Sequence, residues 1–419
     1  MQPMTLRLLA LIAVLLVLDV YAFQAVRSWL SPYKPTARRV GYAVYWGVSL
    51  LAFALLLLNA FEVVDAWGKN AKLIVRVSLF LAWICKLPIV LLLGVDDLRR
   101  GVSWVANKVS PVTERDTSRS RFMAKTALIA GGVPLATLTY GIVRNAYRYR
   151  RYATDVPVKN LPAGLEGFKI VQISDMHSGS WTRSEPLKNA VDMINAENAD
   201  VVCFTGDLVN SEADEIVPFI DIFKEVKGKY GVFSILGNHD YGTYHDWGHP
   251  KGSDEEKAAI AKNMERLYGH HAALGWDLLR DDNRVLEVNG HKLGILGVEN
   301  WGSAFRFPRL ADLPKATAGT EACDCKVLLS HDPTHWDAKI RPGYPDIDLT
   351  LSGHTHGFQF GVEIPGFRWS PAQYLYKQWA GLYQEGDQHL YVNRGLGFLG
   401  YPGRVGILPE ISVLTLVRS

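Results

Sequence analysis

The chain changes texture near residue 150. Before that point apolar residues come in unbroken runs; after it they come in short runs bounded by glycine, proline and polar residues. Four early stretches, 8–30, 41–61, 73–95 and 127–143, approach the roughly 20 apolar residues that a bilayer-spanning helix needs. The fourth holds Gly131, Gly132 and Pro134 and is the shortest. No small-x-small cleavage site follows the first run, so it reads as an uncleaved anchor rather than a signal peptide. Beyond 165, the runs 169–173, 201–204, 232–236, 292–298, 326–329, 347–351 and 390–393 have the length of buried strands. Polar, helix-compatible stretches at 186–198 and 255–268 lie among them. Strands alternating with helices predict an α/β fold with covered sheets. The segment from Val156-Pro157 to Gly164 reads as a linker. The expected division is an all-α transmembrane region over 1–152 and a globular domain over 153–419.

Lysine and arginine in the short loops orient the spans. Loop one carries Lys34, Arg38 and Arg39, and loop two only Lys69 and Lys72. Loop three carries Arg99, Arg100, Lys108, Arg115, Arg119, Arg121 and Lys125. This places loops one and three in the cytoplasm, and four spans then put the globular domain outside it. Arg144, Arg148, Arg150 and Arg151 oppose that orientation, and if the fourth run does not cross, the domain is cytoplasmic. Segment 118–125, with Arg119 and Arg121 ahead of an apolar run, resembles a degenerate twin-arginine export signal. Asp19 and Lys86 lie inside runs that cross in the same sense, at similar depth. They are expected to form a structural ion pair rather than a transport path.

Charge and cysteine narrow the field. Lys and Arg number 45 against 42 Asp and Glu, a net +3 that favours no polyanionic partner, and no nucleic acid is expected. Cys85 and Cys203 sit in apolar runs; Cys323-Asp324-Cys325 has the spacing of a metal pair, a strained disulfide or an ordinary loop.

The chemistry is concentrated in five clusters: Asp175-Met176-His177, Gly206-Asp207, Gly237-Asn238-His239-Asp240, His331 and Gly353-His354-Thr355-His356. Each ends an apolar run, where ligands gather in α/β folds. Carboxylate and imidazole suit Mn, Fe and Zn, with an amide oxygen as a neutral ligand. Two such ions about 4 Å apart can bind ester oxygens and a hydroxide together. A histidine left off the metals can protonate the leaving oxygen. Glycines beside the ligands are expected to let the backbone turn tightly off each strand.

The order D-x-H, G-D, G-N-H-D, H, G-H-T-H resembles the calcineurin-like metallophosphoesterases, over roughly residues 165–419. The resemblance implies two packed mixed β-sheets flanked by helices, and two divalent metal ions. It implies that Asp175, His177 and His356 bind the first ion, that Asp207 bridges, and that Asn238, His331 and His354 bind the second. His239 is then the general acid, oriented by Asp240, and a metal-bridging hydroxide attacks phosphorus. Segments 353–359, 391–397 and 409–411 are similar to a membrane-anchored bacterial branch that includes phosphodiesterases and UDP-diacylglucosamine pyrophosphatases. That likeness implies a phosphodiester or pyrophosphate substrate, lipid-linked forms included, and a bacterial inner-membrane location; the four apolar runs make the expected enzyme multi-pass. Two features depart from the branch: the multispan amino-terminal region, and Phe358 where many relatives carry a second glycine. Two further readings stand beside it: a cytoplasm-facing pyrophosphatase of lipid precursor metabolism, and a membrane sensor or transporter with an appended phosphoesterase.

Other residues admit two readings each. Segment 241–250, with His245, Trp247 and His249, is a lid or an ordinary surface loop. Trp369, Tyr374, Tyr376 and Trp379 line an acyl groove, dip into the membrane interface or pack in the core. Arg394 and Arg404 hold a second phosphate or are solvated charges. His270-His271 are expected to cap a helix end.

Overall fold

The computed structural model describes residues 3–109, 117–304 and 307–419. It comprises two compact units, Met1–Tyr140 and Gly141–Ser419.

Five helices open the chain: α1 (Pro3–Leu30), α2 (Pro35–Ala60), α3 (Lys69–Ile84), α4 (Lys86–Val109) and α5 (Thr117–Val143). They supply four segments long and apolar enough to cross a membrane: Leu6–Leu30, Pro35–Ala60, Lys69–Val105 and Arg121–Tyr147. These match the four apolar runs read from the sequence, the second ending one residue short of the run at 41–61. The third is two helices that break at Cys85. Pro88 explains the break, because it lacks an N–H and its ring collides with the carbonyl four residues back, that of Ile84. Arg99 and Arg100, expected in a loop, stand on α4, where Arg99 pairs with Asp96 at 2.9 Å and Arg100 with Asp97. Arg115 and the side chains of Lys108, Ser118, Arg119 and Ser120 lie outside the described residues.

Small residues let these helices approach closely. Ala22 and Ala25 of α1, Ile89 of α4, and Ala124 and Ala127 of α5 are buried together. Large apolar side chains such as Val17, Leu50, Leu91 and Ile129 point outward, as lipid-facing positions do. Lys86 donates to the Asp19 carboxylate and, at 3.1 Å, to Ser49 Oγ. The expected ion pair therefore forms, and it ties α1, α2 and α4 together.

The second unit is built from strands β1 (Arg150–Val158), β2 (Lys169–Ile173), β3 (Val201–Phe204), β4 (Val232–Ser234), β5 (Asp277–Leu278), β6 (Asp282–Val288) and β7 (His291–Gly297). They continue as β8 (Cys325–Leu329), β9 (Leu349–Ser352), β10 (Val362–Ile364), β11 (Phe367–Trp369), β12 (Gly381–Glu385), β13 (Gln388–Val392) and β14 (Glu410–Arg418). One six-stranded sheet runs β1-β14-β2-β3-β4-β5, the other β12-β13-β9-β8-β7-β6, and β10-β11 form a separate ribbon. Both large sheets mix parallel and antiparallel pairs.

Side-chain alternation shows why the strands read as unbroken apolar runs. Along β3, Val201 and Cys203 enter the core between the sheets, while Val202 and Phe204 enter a second core on the other face. Helices α6 (Glu185–Ala196), α7 (Ile220–Phe223) and α8 (Asp254–Ala273) belong to that face, with Ala190, Phe223 and Leu267 packed in the second core. A third cluster, with Leu328, Trp336 and Ile340, covers the far face of the other sheet. The result is the layered α/β arrangement, helices outside two facing sheets.

The linker reading fails at its start. Residues 150–158 form β1, an edge strand paired in parallel with β14 from Arg150↔Glu410 to Val158↔Arg418. Pro157 is tolerated there because an edge strand has one side free of ladder bonds. Charged residues at its start and the proline near its end hid the strand, although Val156 and Val158 alternate into the core. His270 and His271 do lie in the last turn of α8. His271 is buried, with Nδ1 3.0 Å from Ser234 Oγ, so it packs rather than caps. All four cysteines are free thiols.

Candidate metal centre

Parallel neighbours release their loops at the same sheet edge. Ile173 of β2 lies beside Phe204 of β3, so Asp175 and Asp207 emerge together. The Asp175 N–H donates to the Gly206 carbonyl (2.9 Å) and the His177 N–H to the Asp207 carbonyl (3.1 Å). In the facing sheet Leu329 of β8 lies beside Leu351 of β9, and the Gly353 N–H donates to the His331 carbonyl (2.9 Å). The His354 N–H crosses to the Asp175 carboxylate at 3.0 and 3.1 Å, joining the two edges.

Two groups of side chains converge there: Asp175, His177 and His356, and Asp207, His331 and His354. In the first, His356 Nε2 is 3.2 Å from Asp175 Oδ1 and 3.0 Å from His177 Nε2. In the second, His331 Nε2 is 3.2 Å from Asp207 Oδ2. Asp207 Oδ2 also lies 3.5 Å from His177 Nε2, within reach of both groups.

The donor chemistry fits a pair of cations. His331 Nδ1 donates to the Thr205 carbonyl (2.7 Å), so its other nitrogen faces Asp207. That atom is buried and has no hydrogen-bond partner, and the same is true of Asn238 Oδ1. Asn238 Nδ2 donates to the Tyr244 hydroxyl (3.1 Å), which directs the amide. Tyr376 occupies His354 Nε2 at 2.9 Å, so Nδ1 is the nitrogen that could hold a cation. Buried acceptors turned toward one another are costly unless a cation lies among them.

Electrostatics agree. Burial pushes the His177 imidazole down to about 3 and lowers His354 as well, which keeps both rings neutral and able to ligate. Burial alone would lower His331, but the Asp207 carboxylate carries it up to about 10. A proton and a metal ion therefore compete for the same place.

Backbone strain marks the site. Asp175, His177, Asp207, His354 and His356 all have φ between 46° and 69°, the left-handed region. Such conformations cost a non-glycine residue roughly 1–2 kcal/mol each and cluster at functional sites. The adjacent glycines serve two purposes. Gly206 has φ 94° and makes the tight turn expected of it. Gly237 and Gly353 are needed for room: a Cβ on either would overlap the carboxylate of Asp207 or Asp175.

His239 stands beside both groups. Its Nδ1 donates to the Asn210 carbonyl (2.8 Å), and its ring lies 4.5 Å from that of Tyr244. Asp240 does not have the expected orienting role. Its buried carboxylate instead accepts the backbone N–H groups of Asp207, Leu208, Val209 and Gly237 at 2.8–3.1 Å. It thus holds the loop that presents Asp207.

A cleft of about 480 Å³ opens over these residues. His177, Asp207, Asn238, His239, His354 and His356 are part of its lining. Tyr244, Phe307, Phe358, Tyr376, Leu399 and Tyr401 complete the lining. From segment 241–250, Tyr244 reaches the cleft, while Tyr241 is buried against Glu299 and Trp247 Nε1 donates to the Gly242 carbonyl (2.9 Å). The aromatic stretch divides: Trp379 packs in a buried cluster, Tyr376 lines the cleft, and Tyr374 is exposed. Arg394 and Arg404 are neither phosphate ligands nor solvated. Arg394 is buried between Glu410 and Glu363 (2.5 and 2.6 Å), and Arg404 donates to the carbonyls of Gly395 and Gly397 (3.1 and 2.5 Å).

Sequence reasoning missed Thr205 and Asn210, and, for Tyr376, the contact with His354 rather than the residue itself. The first two act through carbonyls, which carry no side-chain signature. Asp332, 3.6 Å from His354, had a signal: it directly follows His331.

The comparisons with known proteins point the same way. The family described as "Calcineurin-like phosphoesterase" matches residues 168–358, and "Probable Calcineurin-like phosphoesterase, transmembrane domain" matches residues 5–146. The chain is 30% identical over 308 residues to the uncharacterized metallophosphoesterase YkuE of Bacillus subtilis, covering 70% of this chain and 93% of that one. It is 28% identical over 326 residues to a transmembrane protein with metallophosphoesterase domain of Danio rerio, covering 75% and 68%. It is 25% identical over 252 residues to the phosphodiesterase YaeI of Escherichia coli, covering 60% and 82%. With four candidate spans ahead of a cleft lined by two carboxylate–imidazole groups, the chain belongs to the calcineurin-like metallophosphoesterases and is a membrane-associated, metal-dependent phosphoester hydrolase.

Proposed function

We propose that the centre holds two divalent cations drawn from Mn, Fe and Zn. Asp175, His177 and His356 hold one, Asn238, His331 and His354 the other, and Asp207 is shared. The observation that best supports this is Asp207 Oδ2, which lies 3.5 Å from a nitrogen of one group and 3.2 Å from a nitrogen of the other. When bound, the pair neutralises phosphoester charge and activates water for in-line attack on phosphorus.

The chain's own residues do the rest. Asn210 fixes the His239 ring through Nδ1, leaving Nε2 for the cleft. From Nε2, His239 hands a proton to the departing oxygen as general acid. Asp240 keeps the Asp207 loop in place through four amide hydrogen bonds. The aromatic residues of the cleft lining accept the apolar part of a phosphodiester or pyrophosphate substrate, lipid-linked forms included.

In this reading residues 1–152 anchor the enzyme in a bacterial inner membrane and residues 153–419 carry catalysis on the extracytoplasmic side. A reporter fused at Ser419 tests sidedness: activity of a cytoplasm-only reporter there would favour a cytoplasm-facing pyrophosphatase. For the reaction itself, the purified full chain loaded with Mn is assayed on lipid pyrophosphates, cyclic nucleotides and aryl phosphodiesters. Hydrolysis of at least one, abolished by a chelator and restored by Mn, is the expected result; no hydrolysis of any would overturn the proposal.

A further inference from the structure

The β10–β11 ribbon leaves its apolar face exposed. Its register sets Val362 opposite Trp369, Glu363 opposite Arg368, and Ile364 opposite Phe367. Alternation therefore gives it one polar face, Glu363 with Arg368, and one apolar face. In a soluble domain the apolar face packs on the core and the polar face meets water. Here Glu363 turns inward, while Arg368 stays exposed at the edge of the ribbon. Glu363 accepts from Arg394 (2.6 Å) and from the Tyr152 hydroxyl (2.9 Å), and the Arg368 guanidinium lies 5.0 Å from the ring of the buried Trp379. The apolar face is left outside, with Ile364 58% and Phe367 53% exposed.

The surface extends on both sides of the ribbon. Among the described residues beyond 150, eleven large hydrophobic side chains are exposed, and seven of them lie between 358 and 375. Tyr374 and Leu375, at 73% and 70%, are the most exposed of these. The other four, Val217, Tyr244, Val285 and Leu310, are scattered, as single surface apolar residues ordinarily are. A clustered apolar face marks an interaction surface.

We propose that this face rests on a lipid bilayer. Its charge balance fits: Glu363 is the only acid between 358 and 375, and Arg394 neutralises it, so no free carboxylate faces outward. The chain itself carries four candidate membrane spans, so a bilayer is always at hand. The base of the ribbon is fixed by the Gly361 N–H donating to the Val405 carbonyl (2.8 Å), which holds the apolar face in one orientation. Phe358 links this face to the cleft. It lines the cleft, is 42% exposed, and takes the left-handed conformation (φ 52°) that favours glycine. An aromatic held there against its backbone preference continues the apolar surface to the metal centre. The ester bond of a membrane lipid thus reaches the cleft without its acyl chains leaving the bilayer. This last step rests on the function proposed above; the bilayer contact does not.

The test uses the full chain in nanodiscs of phosphatidylcholine and phosphatidylglycerol, with Cys85 and Cys323 replaced by serine. Spin labels are placed singly at Ile364→Cys, Phe367→Cys and Leu375→Cys, with Lys257→Cys as a control on α8. Oxygen, which partitions into lipid, should collide with the three labels several-fold more often than a water-soluble nickel chelate, relative to the control. Equal nickel access at all four positions would overturn the bilayer contact, and so would protection from both reagents, which indicates a protein partner. For the substrate step, the double variant Ile364→Asp with Phe367→Asp should raise KM about tenfold or more for a diacylglycerol pyrophosphate in the disc, while turnover of a soluble aryl phosphodiester is unchanged. An unchanged KM for the lipid would overturn lipid delivery. Wild-type enzyme inactive on both substrates would instead overturn the proposed function, and the label data would still stand.

Discussion

Buried charges occur in both halves of this molecule, and their surroundings differ. In the helical half Lys86 meets Asp19, a donor faces an acceptor, and the charges cancel. In the phosphoesterase half two aspartates and four histidines converge with acceptor toward acceptor, and Asn238 Oδ1 and His331 Nε2 lack a hydrogen-bond partner. The first arrangement matches opposite charges, with one Asp19 oxygen left unbonded, and reads as structure; the second gathers ligands without a counter-charge and needs a cation. The same contrast argues against the transporter reading, because a translocation path needs polar groups that change partners, and here the Asp19 carboxylate already has its ammonium partner.

The sharpest way to break the comparison is to remove the group common to both sides of the metal centre. Asp207→Ala should lose bound metal by elemental analysis and lower turnover by more than about 10⁴-fold, since water without the pair keeps its pKa near 15.7. Next in size is His239→Ala, expected to cost about 10²–10⁴-fold in turnover with metal content retained. Full rate on every substrate in that variant would remove His239 from the mechanism.

The membrane pair should behave in the opposite way. Lys86→Met leaves a buried carboxylate alone and should cost about 3–5 kcal/mol of stability, whereas Asp19→Leu with Lys86→Met should recover most of it. Unfolding in detergent measures both, and turnover of a soluble aryl phosphodiester per folded molecule should not change in either. If the double variant were as unstable as the single, the pair would not be a closed structural unit.

The smallest effect concerns His271, a buried base in the catalytic half that bonds Ser234 through Nδ1 and belongs to neither metal group. Burial lowers it to about 3 from the ordinary 6.5. Between those values the unfolded chain binds the extra proton, so stability is full above pH 6.5 and falls as pH falls toward 3. From pH 6.5 to 5 the loss is about 2 kcal/mol, and His271→Asn should flatten that slope in urea unfolding curves. An unchanged slope would mean that other groups carry the acid sensitivity.

Much of the site was legible before any fold was known. Ligands for hard and borderline cations come from few residue types, and these strands are apolar on both faces, so each cluster stands out at the end of an apolar run. Residues that act through carbonyls were not legible: Thr205 and Asn210 are identified by where their backbone lies. Asp240 shows a related limit. Its place beside His239 suggested contact, but the chain turns there and the carboxylate serves four amides of the loop and its neighbour instead. Strand β1 was hidden because its partner β14 lies more than 250 residues away, and a charged edge strand has little pattern of its own.

The sequence by itself determined the two-part organisation, the α/β class, the spans and the residue types that converge on a phosphoester, because each follows from local composition and order. Tertiary structure decided which face of each element is buried. Alternation shows that Val362 and Ile364 share a face with Phe367 and Trp369, but only the packing of Glu363 against Arg394 turned that face outward. Periodicity is a local property of the chain; the choice of side depends on partners brought together from distant positions.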